Sequence, residues 1–172
     1  IEHEKFTQKT TSESTAEERN TLAIFKQFML SGTVPWWIRN RNSFNIQKTI
    51  DEVLQLHLEQ VVEIVKKQAN KPYFLQRLVL NLNEKQIEQL IRSLAPAEAT
   101  QVIEAAHNIQ AVQARRQIVR TEQRTYRNKV WEFVLTYLLI DRGMVFNQKM
   151  FVQATLARLA HHFNIEYSEF LK

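Results

Sequence analysis

The chain has 172 residues, 44% of them apolar, and is therefore long enough to bury one core or two small ones. It contains 2 glycines and 3 prolines, too few for the tight turns of a β-sandwich, a barrel or a doubly wound sheet. The absence of cysteine excludes disulfides, thiolate metal sites and a cysteine nucleophile. The composition therefore predicts an all-α fold, a compact bundle of about seven helices held together by packing alone.

The two ends of the chain differ in composition. Residues 1–14 are polar, rich in Thr, Ser and Glu, and without helical periodicity, so we predict a flexible lead or linker there. Residues 15–172 are expected to form a single helical domain, or two sub-bundles that meet near 108–122. Because the chain begins at Ile1 without a charged and apolar leader, we expect a piece of a longer polypeptide rather than a secreted precursor.

The first predicted helix begins with a capping box. Thr15 and Glu18 have the spacing at which each side chain accepts a backbone N–H of the first turn. The helix is expected to run to about Leu30, because Gly32 then occupies the position that favours a left-handed residue. Residues 33–44 lack helical periodicity and predict a loop.

Three further helices are predicted after this loop. Asn45 is expected to cap a helix that reaches Gln68, since the apolar residues between them recur at spacings of three and four. Pro72 is expected in the first position of the next helix, where its missing N–H costs nothing. Asn83 and Gln86 have the spacing of a capping box and predict the start of a fourth helix.

Pro96 is expected to open a fifth helix, and no other Pro or Gly occurs between Pro96 and Gly143. One continuous helix of this length would extend about 70 Å at a rise of about 1.5 Å per residue, so we expect a bend near 108–122. The part near 130–140 is apolar on almost every side and is predicted to be the buried central helix. Its apolar run is too short to cross a bilayer, and no membrane span is predicted.

The turn Asp141–Gly143 is expected to end this long helix. Asn147 then has the position of an N-cap, and Phe146 and Phe151 are spaced to pack on each other as a hydrophobic staple. A further helix is therefore predicted after Asn147.

No residue pattern typical of catalysis or of cofactor binding is present. Gly32 and Gly143 do not form a phosphate-binding loop. The 5 histidines lack metal-ligand spacing, and the adjacent His161 and His162 point in different directions on a helix. His57 is interpreted as a boundary residue of an apolar face. We therefore expect no enzymatic activity, no cofactor and no metal.

One basic stretch accounts for the formal net charge of the chain, which is +5. Residues 115–129 contain six basic side chains and a single acidic one, Glu122. The members of the predicted contact stripe, which are spaced three or four residues apart, are Arg116, Arg120, Arg124 and Arg127. Such a stripe favours an acidic partner, and nucleic acid is disfavoured because aromatic residues are not interleaved with the arginines.

Trp36 and Trp37 directly follow Pro35. Adjacent residues in a loop point in different directions, so one indole is expected to enter the core while the other covers a neighbouring helix or a partner. Packing is the interpretation that we favour. Pro35 fixes its own φ angle and restricts Val34, which would hold the loop rigid.

Two blocks of the sequence resemble one known family. The segment 28–37, FMLSGTVPWW, resembles a signature of the tape measure proteins of bacterial contractile injection systems. Residues 131–143, followed by Phe146-Asn147 and Phe151-Val152, are similar to that family's other characteristic block. The resemblance implies that its motif positions either hold the shape of the module or dock it to a partner. These positions are Gly32, Pro35, Trp36, Trp37, Trp131, Asp141, Arg142, Gly143, Phe146 and Asn147.

This resemblance implies a structural role in a particle similar to a phage tail, with involvement in tube length control or in assembly of the baseplate and tube. The expected partners are protein components of the particle: the inner tube, the baseplate or the spike. The expected location is the bacterial cytoplasm during assembly and then the particle itself. Two alternatives stay open, a helical adaptor that binds another protein without controlling length, and a nucleic-acid-binding module.

Overall fold

The computed structural model describes residues 20–38, 44–141 and 145–172. All regular elements in these ranges are helical and no strand occurs among them, which confirms the all-α prediction. The chain divides into two compact units between Val65 and Lys66, and each unit is described by itself. The predicted lead 1–14 and the Thr15–Glu18 capping box lie outside the described ranges.

The described residues of the first unit form three helices: α1 (residues 20–31), α2 (Ile46–Leu56) and most of α3 (Leu58–Gln68). Its core consists of apolar side chains that these helices bury completely, including Phe25, Met29, Ile50, Val53 and Val61. The Asn45 side chain accepts the backbone N–H of Gln47 at 2.9 Å and of Lys48 at 3.4 Å, which confirms the predicted cap of α2.

The single helix predicted between Asn45 and Gln68 is wrong, because the chain breaks at His57. The backbone of His57 adopts φ −134° and ψ 32°, outside the helical range, while its N–H still bonds the carbonyl of Val53 at 2.9 Å. The imidazole is 8% exposed, and its Nε2 atom has no hydrogen-bond partner. No Pro or Gly lies at this break, and the apolar residues keep their helical spacing across it. The sequence pattern therefore did not reveal the break.

The second unit consists of five α-helices and two shorter turns. They are α4 (Phe74–Asn81), α5 (Glu84–Leu94), α6 (Ala99–Arg116), α7 (Gln123–Thr136), a π-helical turn (Tyr137–Asp141), α8 (Gln148–Phe163) and a 3₁₀ turn (Tyr167–Phe170). Helix α7 packs against α4, α6 and α8. Val130, Trp131, Val134 and Leu135 are completely buried on it, which confirms the central buried helix near 130–140.

Three predicted boundaries in this unit are wrong. Helix α4 begins at Phe74, after Tyr73 in a left-handed conformation with φ 60°, so Pro72 lies in the preceding turn. Helix α6 begins at Ala99, so Pro96 also lies in a turn. The segment expected to bend near 108–122 instead breaks into α6 and α7, because Gln117 adopts a left-handed conformation with φ 47° and ends α6.

The predicted helix starts at Asn83 and Asn147 are confirmed. The Asn83 side chain accepts the N–H of Gln86 at 3.0 Å, and the Gln86 side chain accepts the N–H of Asn83 at 2.8 Å, which completes the capping box of α5. The Asn147 side chain accepts the N–H of Met150 at 2.9 Å. The rings of Phe146 and Phe151 lie 5.8 Å apart between centroids, which is the predicted staple of α8.

Candidate interaction surfaces

The tryptophan turn, residues 32–38, follows directly after α1. Gly32 has φ 74°, a conformation that favours glycine, and its N–H bonds the carbonyl of Phe28 at 2.7 Å to close the helix end. Beyond it, the N–H of Ile38 bonds the carbonyl of Pro35 at 3.2 Å. Backbone hydrogen bonds therefore hold both ends of the segment that carries the two indoles.

Neither indole of this turn enters the core of the first unit. Trp36 is 80% exposed and Trp37 is 37% exposed, and their rings meet edge to face with centroids 5.8 Å apart. The expectation that one indole enters the core is therefore not met, and Trp36 is the more exposed of the two. Exposed tryptophans on a held backbone supply a large apolar contact area at a small cost in conformational entropy.

Aromatic side chains pack together at the entry to α8, by which we mean the π-helical turn Tyr137–Asp141 and residues 145–151. The ring of Tyr137 lies 5.2 Å from that of Phe151 and 6.4 Å from that of Phe146, so the staple of α8 packs on the π-helical turn. Asp141 ends that turn and forms an ion pair with Arg158 of α8. The other predicted residues of this turn, Arg142 and Gly143, lie outside the described ranges.

Three large apolar side chains near this entry are exposed to solvent. Ile140 is 45% exposed, Val145 is 83% exposed and Met150 is 61% exposed. They flank the aromatic cluster along the chain, in which Tyr137 and Phe151 are buried and Phe146 is half-buried. At the entry to α8, packed aromatic rings therefore lie next in the chain to exposed apolar side chains.

Trp131, in contrast, is a core residue that joins three helices. Its ring is completely buried on α7, and its Nε1–H donates to Oε1 of Glu84 at 3.0 Å. The imidazole of His107, on α6, meets the indole edge to face with centroids 5.8 Å apart, and its Nε2 lies 2.9 Å from Oε1 of Glu88. Trp131 therefore acts inside the second unit rather than on its surface.

Arg127 belongs to the same polar cluster. Its Nε–H donates to Oε2 of Glu84 at 2.8 Å. Its terminal N–H groups donate to the backbone carbonyls of Val79 at 3.3 Å and Leu82 at 3.2 Å, and to Asn128 at 2.9 Å. Since the side chain is 18% exposed, Arg127 stabilises the contact of α7 with α4 and α5 rather than extending a surface stripe.

The other arginines of the predicted stripe do not align on one helix. Arg116 ends α6, Arg124 lies in the first turn of α7, and Arg120 lies in the connecting link, residues 117–122. The prediction that these arginines form a stripe along one helix is therefore wrong, because the break at Gln117 interrupts the helical periodicity. All three side chains are nevertheless exposed at the junction of these helices.

A buried glutamine holds this link in place. The Nε2 atom of Gln113 donates to the carbonyl of Val119 at 2.6 Å, and Oε1 of Gln113 accepts the N–H of Val119 at 3.0 Å. Both residues are buried, with Val119 5% exposed. A cleft of about 530 Å³ lies beside the link, and its lining includes Gln117, Arg120 and Gln123.

Two side chains near α7 have shifted pKa values. Burial raises the pKa of Tyr126 to about 12, and its ring stacks on Phe163 with centroids 5.8 Å apart. Burial and the positive charge of Lys129 lower the pKa of His162 below its usual value of 6.5, while Glu132 acts in the opposite direction.

Comparison with known proteins decides the family. A family model described as contractile injection system tape measure protein matches residues 2–171, almost the whole chain. The chain belongs to the contractile injection system tape measure protein family. It is therefore a structural component of such a system, and particle proteins are its partners. No match was found among curated proteins or among solved structures.

In this tape measure family protein, the two motif blocks occupy contrasting environments. The first block exposes its tryptophans, whereas the second buries Trp131 and places its exposed apolar residues at the entry to α8. Among the described residues, no helix is long and apolar enough to cross a membrane. No group of three or more metal-ligating side chains occurs in that part of the chain either.

Sequence reasoning missed Glu84, Gln113 and His107. Glu84 lies 43 residues from Arg127 and 47 residues from Trp131 in the chain, so no local spacing could connect them. Gln113 has no distinguishing neighbour in the sequence, because its partner Val119 comes within reach only through the break at Gln117. An acidic residue directly after a predicted cap, as in Asn83-Glu84, was the one available signal.

Proposed function

We propose that this chain is a folded docking module of the tape measure protein, which contacts the inner tube, the baseplate or the spike through the tryptophan turn. By anchoring the tape measure protein at one end of the growing tube, the module takes part in tube length control and in assembly. It acts in the bacterial cytoplasm while the particle forms and stays within the particle afterwards. Its role is structural rather than enzymatic.

The observation that carries this proposal is the exposure of Trp36, which is 80%. Contiguous exposed apolar surface marks contact sites on proteins, and the rings of Trp36 and Trp37 lie next to each other with centroids 5.8 Å apart. Tryptophan is also enriched among the residues that dominate binding energy. Gly32 and Pro35 hold the turn through backbone hydrogen bonds, so little further ordering is needed when a partner binds. The conformation of the motif therefore supports docking better than it supports packing.

The entry to α8 supports a second contact. Ile140, Val145 and Met150 expose apolar side chains beside a rigid cluster formed by Tyr137, Phe146 and Phe151, the residues of the other motif block. The Asp141 ion pair with Arg158 holds the end of the π-helical turn. We assign Asp141, Arg142, Gly143, Phe146 and Asn147 to shaping this entry rather than to chemistry.

The packing of the second unit favours an anchor over a ruler. A measuring element is expected to be extended along the tube, whereas α4, α6 and α8 bury their apolar faces against α7. The longest described helix, α6, has 18 residues and spans about 27 Å at about 1.5 Å per residue. We therefore attribute the measuring itself to another part of the full-length protein.

The test replaces Trp36 and Trp37 by Ala in the full-length tape measure protein of cells that produce particles. Particle number and tube length are then measured by electron microscopy. A matched control replaces Leu56 and Leu171 by Ala. These side chains are 64% and 66% exposed and lie outside the two motif blocks. Docking predicts fewer particles or an altered tube length with the tryptophan variant, and neither effect with the control.

Two outcomes would separate the alternatives. Fewer particles of unchanged length would support an adaptor that docks without measuring. If deletion of residues 20–172 gives normal numbers of particles with unchanged tube length, both the docking role and the length-control role are wrong.

A further inference from the structure

The junction of α6 and α7 carries a concentration of unpaired positive charge. Its members, which we call the arginine surface, are Arg115, Arg116, Arg120 and Arg124, and all four side chains are exposed. In the part of the chain that the structure describes, none of them forms an ion pair, whereas Arg127 pairs with Glu84 and Lys129 pairs with Glu132. Glu122 is the single carboxylate within the stretch. With four arginines and one carboxylate, the junction therefore has a local excess of positive charge.

We propose that the arginine surface binds an acidic segment of another protein of the particle, through its Asp and Glu carboxylates. The proposal concerns a different surface from the tryptophan turn and does not depend on docking there. Guanidinium groups bind carboxylates with two parallel hydrogen bonds, which provides orientation as well as attraction.

The backbone that carries these arginines is held before any partner arrives. Gln113 bonds both polar groups of the Val119 peptide, at 2.6 Å and 3.0 Å, and the N–H of Gln117 bonds the carbonyl of Gln113 at 2.8 Å. Arg120 is thus presented by a fixed link between two helices rather than by a mobile tail. A fixed backbone reduces the ordering cost of binding.

The cleft beside the link complements an extended acidic segment. Its volume is about 530 Å³, and Arg120 lines it together with glutamines that include Gln117 and Gln123. Both of these glutamines are exposed, and their amide N–H groups can donate to carboxylates or to a peptide backbone. The cleft therefore offers hydrogen-bond donors beside Arg120.

The surroundings favour a protein over single-stranded nucleic acid. Base recognition on a basic surface relies on aromatic side chains that stack with unpaired bases. Tyr126 is the single aromatic residue between 115 and 129, and it is 2% exposed with its ring stacked on Phe163. No aromatic platform is therefore available within this stretch.

The test measures the binding of a fluorescein-labelled peptide of about twelve residues, with alternating Glu and Ser, to the complete chain by fluorescence anisotropy at low and at physiological salt. One variant replaces Arg115, Arg116, Arg120 and Arg124 by Gln. The matched control removes the same number of charges from exposed lysines outside the surface, namely Lys26, Lys48, Lys71 and Lys149. Circular dichroism checks that both variants keep the helical content of the parent chain.

We expect the arginine variant to bind the peptide about ten-fold more weakly or worse, and the lysine control to change the affinity by less than about two-fold. Replacing the four arginines by Lys keeps the charge but removes the paired hydrogen bonds, so an intermediate loss is expected. Equal losses in the arginine and lysine variants would overturn the proposal, because they would reflect net charge alone. Displacement of the peptide by single- or double-stranded DNA of the same charge, at a lower concentration than by unlabelled peptide, would also overturn it and assign the surface to nucleic acid.

Discussion

The two tryptophan-bearing blocks use the same side chain in opposite ways. Trp36 is 80% exposed on a short turn after α1, whereas Trp131 is completely buried and donates a hydrogen bond to Glu84. One indole offers contact area to a partner, and the other organises a core of several helices. The presence of tryptophan in a family motif therefore does not distinguish a binding role from a folding role, whereas its burial does.

The largest effect that tests this contrast is expected at Trp131. Trp131→Ala should lower the free energy of unfolding by about 3–5 kcal/mol, because it leaves a cavity in the core and removes the donor to Glu84. Trp36→Ala should change it by less than about 0.5 kcal/mol. Urea unfolding followed by circular dichroism measures both values. Similar losses in the two variants would show that the tryptophan turn is also part of a core.

The dependence of stability on alkaline pH provides a second test of the buried core around α7. Because burial raises the pKa of Tyr126 from 10.0 to about 12, the folded chain holds this proton more tightly than the unfolded chain does. The associated stability is complete below pH 10 and is lost as the pH rises toward 12, with a loss on the order of 2 kcal/mol. Urea unfolding across this range should show a weaker pH dependence for Tyr126→Phe. Tyr73→Phe, at a position that is 68% exposed, should keep the dependence of the parent chain.

The polar cluster around Trp131 should contribute a further part of the stability. Arg127→Ala leaves the Glu84 carboxylate and the carbonyls of Val79 and Leu82 without this donor, and should cost about 1–3 kcal/mol. The control is Arg124→Ala, which alters an exposed arginine on the same helix and should cost less than about 0.5 kcal/mol. If Arg124→Ala destabilises the chain as much, the assignment of these two arginines to different roles fails.

The smallest effect sharpens the description of the entry to α8. Asn147→Ala should cost about 1 kcal/mol, because the N–H of Met150 loses its acceptor. Asn147→Asp should be nearly neutral, since a carboxylate accepts the same hydrogen bond. Thermal unfolding of the two variants distinguishes these cases. An Asp variant as unstable as the Ala variant would mean that Asn147 contributes through another contact.

The sequence allowed the helix starts to be predicted where a local hydrogen bond determines them. Asn45, Asn83 and Asn147 each cap a helix as expected, because the donor and the acceptor lie within three residues. The helix start predicted at Pro72 is wrong, since proline fits both the first turn of a helix and the turn that precedes it. The left-handed conformation of Tyr73, at φ 60°, separates the two cases, and a tyrosine at this position does not reveal it.

The candidate surfaces were less predictable, for a different reason. An apolar side chain in a sequence predicts burial on average, and Trp36 departs from that average. The four-residue spacing of Arg116, Arg120 and Arg124 indicated one helical face, but the break at Gln117 depends on a contact between Gln113 and Val119 that no spacing rule describes. The composition of the basic surface could thus be predicted, whereas its shape could not.

The central position of α7 has a consequence for the synthesis of the protein. Helices α4, α5 and α6 leave the ribosome before α7, although the apolar face of α4 packs against α7, far along the chain. The second unit therefore cannot complete its core until both α7 and α8 have emerged, because Phe151 and Leu159 of α8 are completely buried and α8 packs against α7. Translation pauses before α8 has left the ribosome would lengthen the interval in which apolar helix faces are exposed and favour aggregation of the nascent chain, whereas pauses after that point would not.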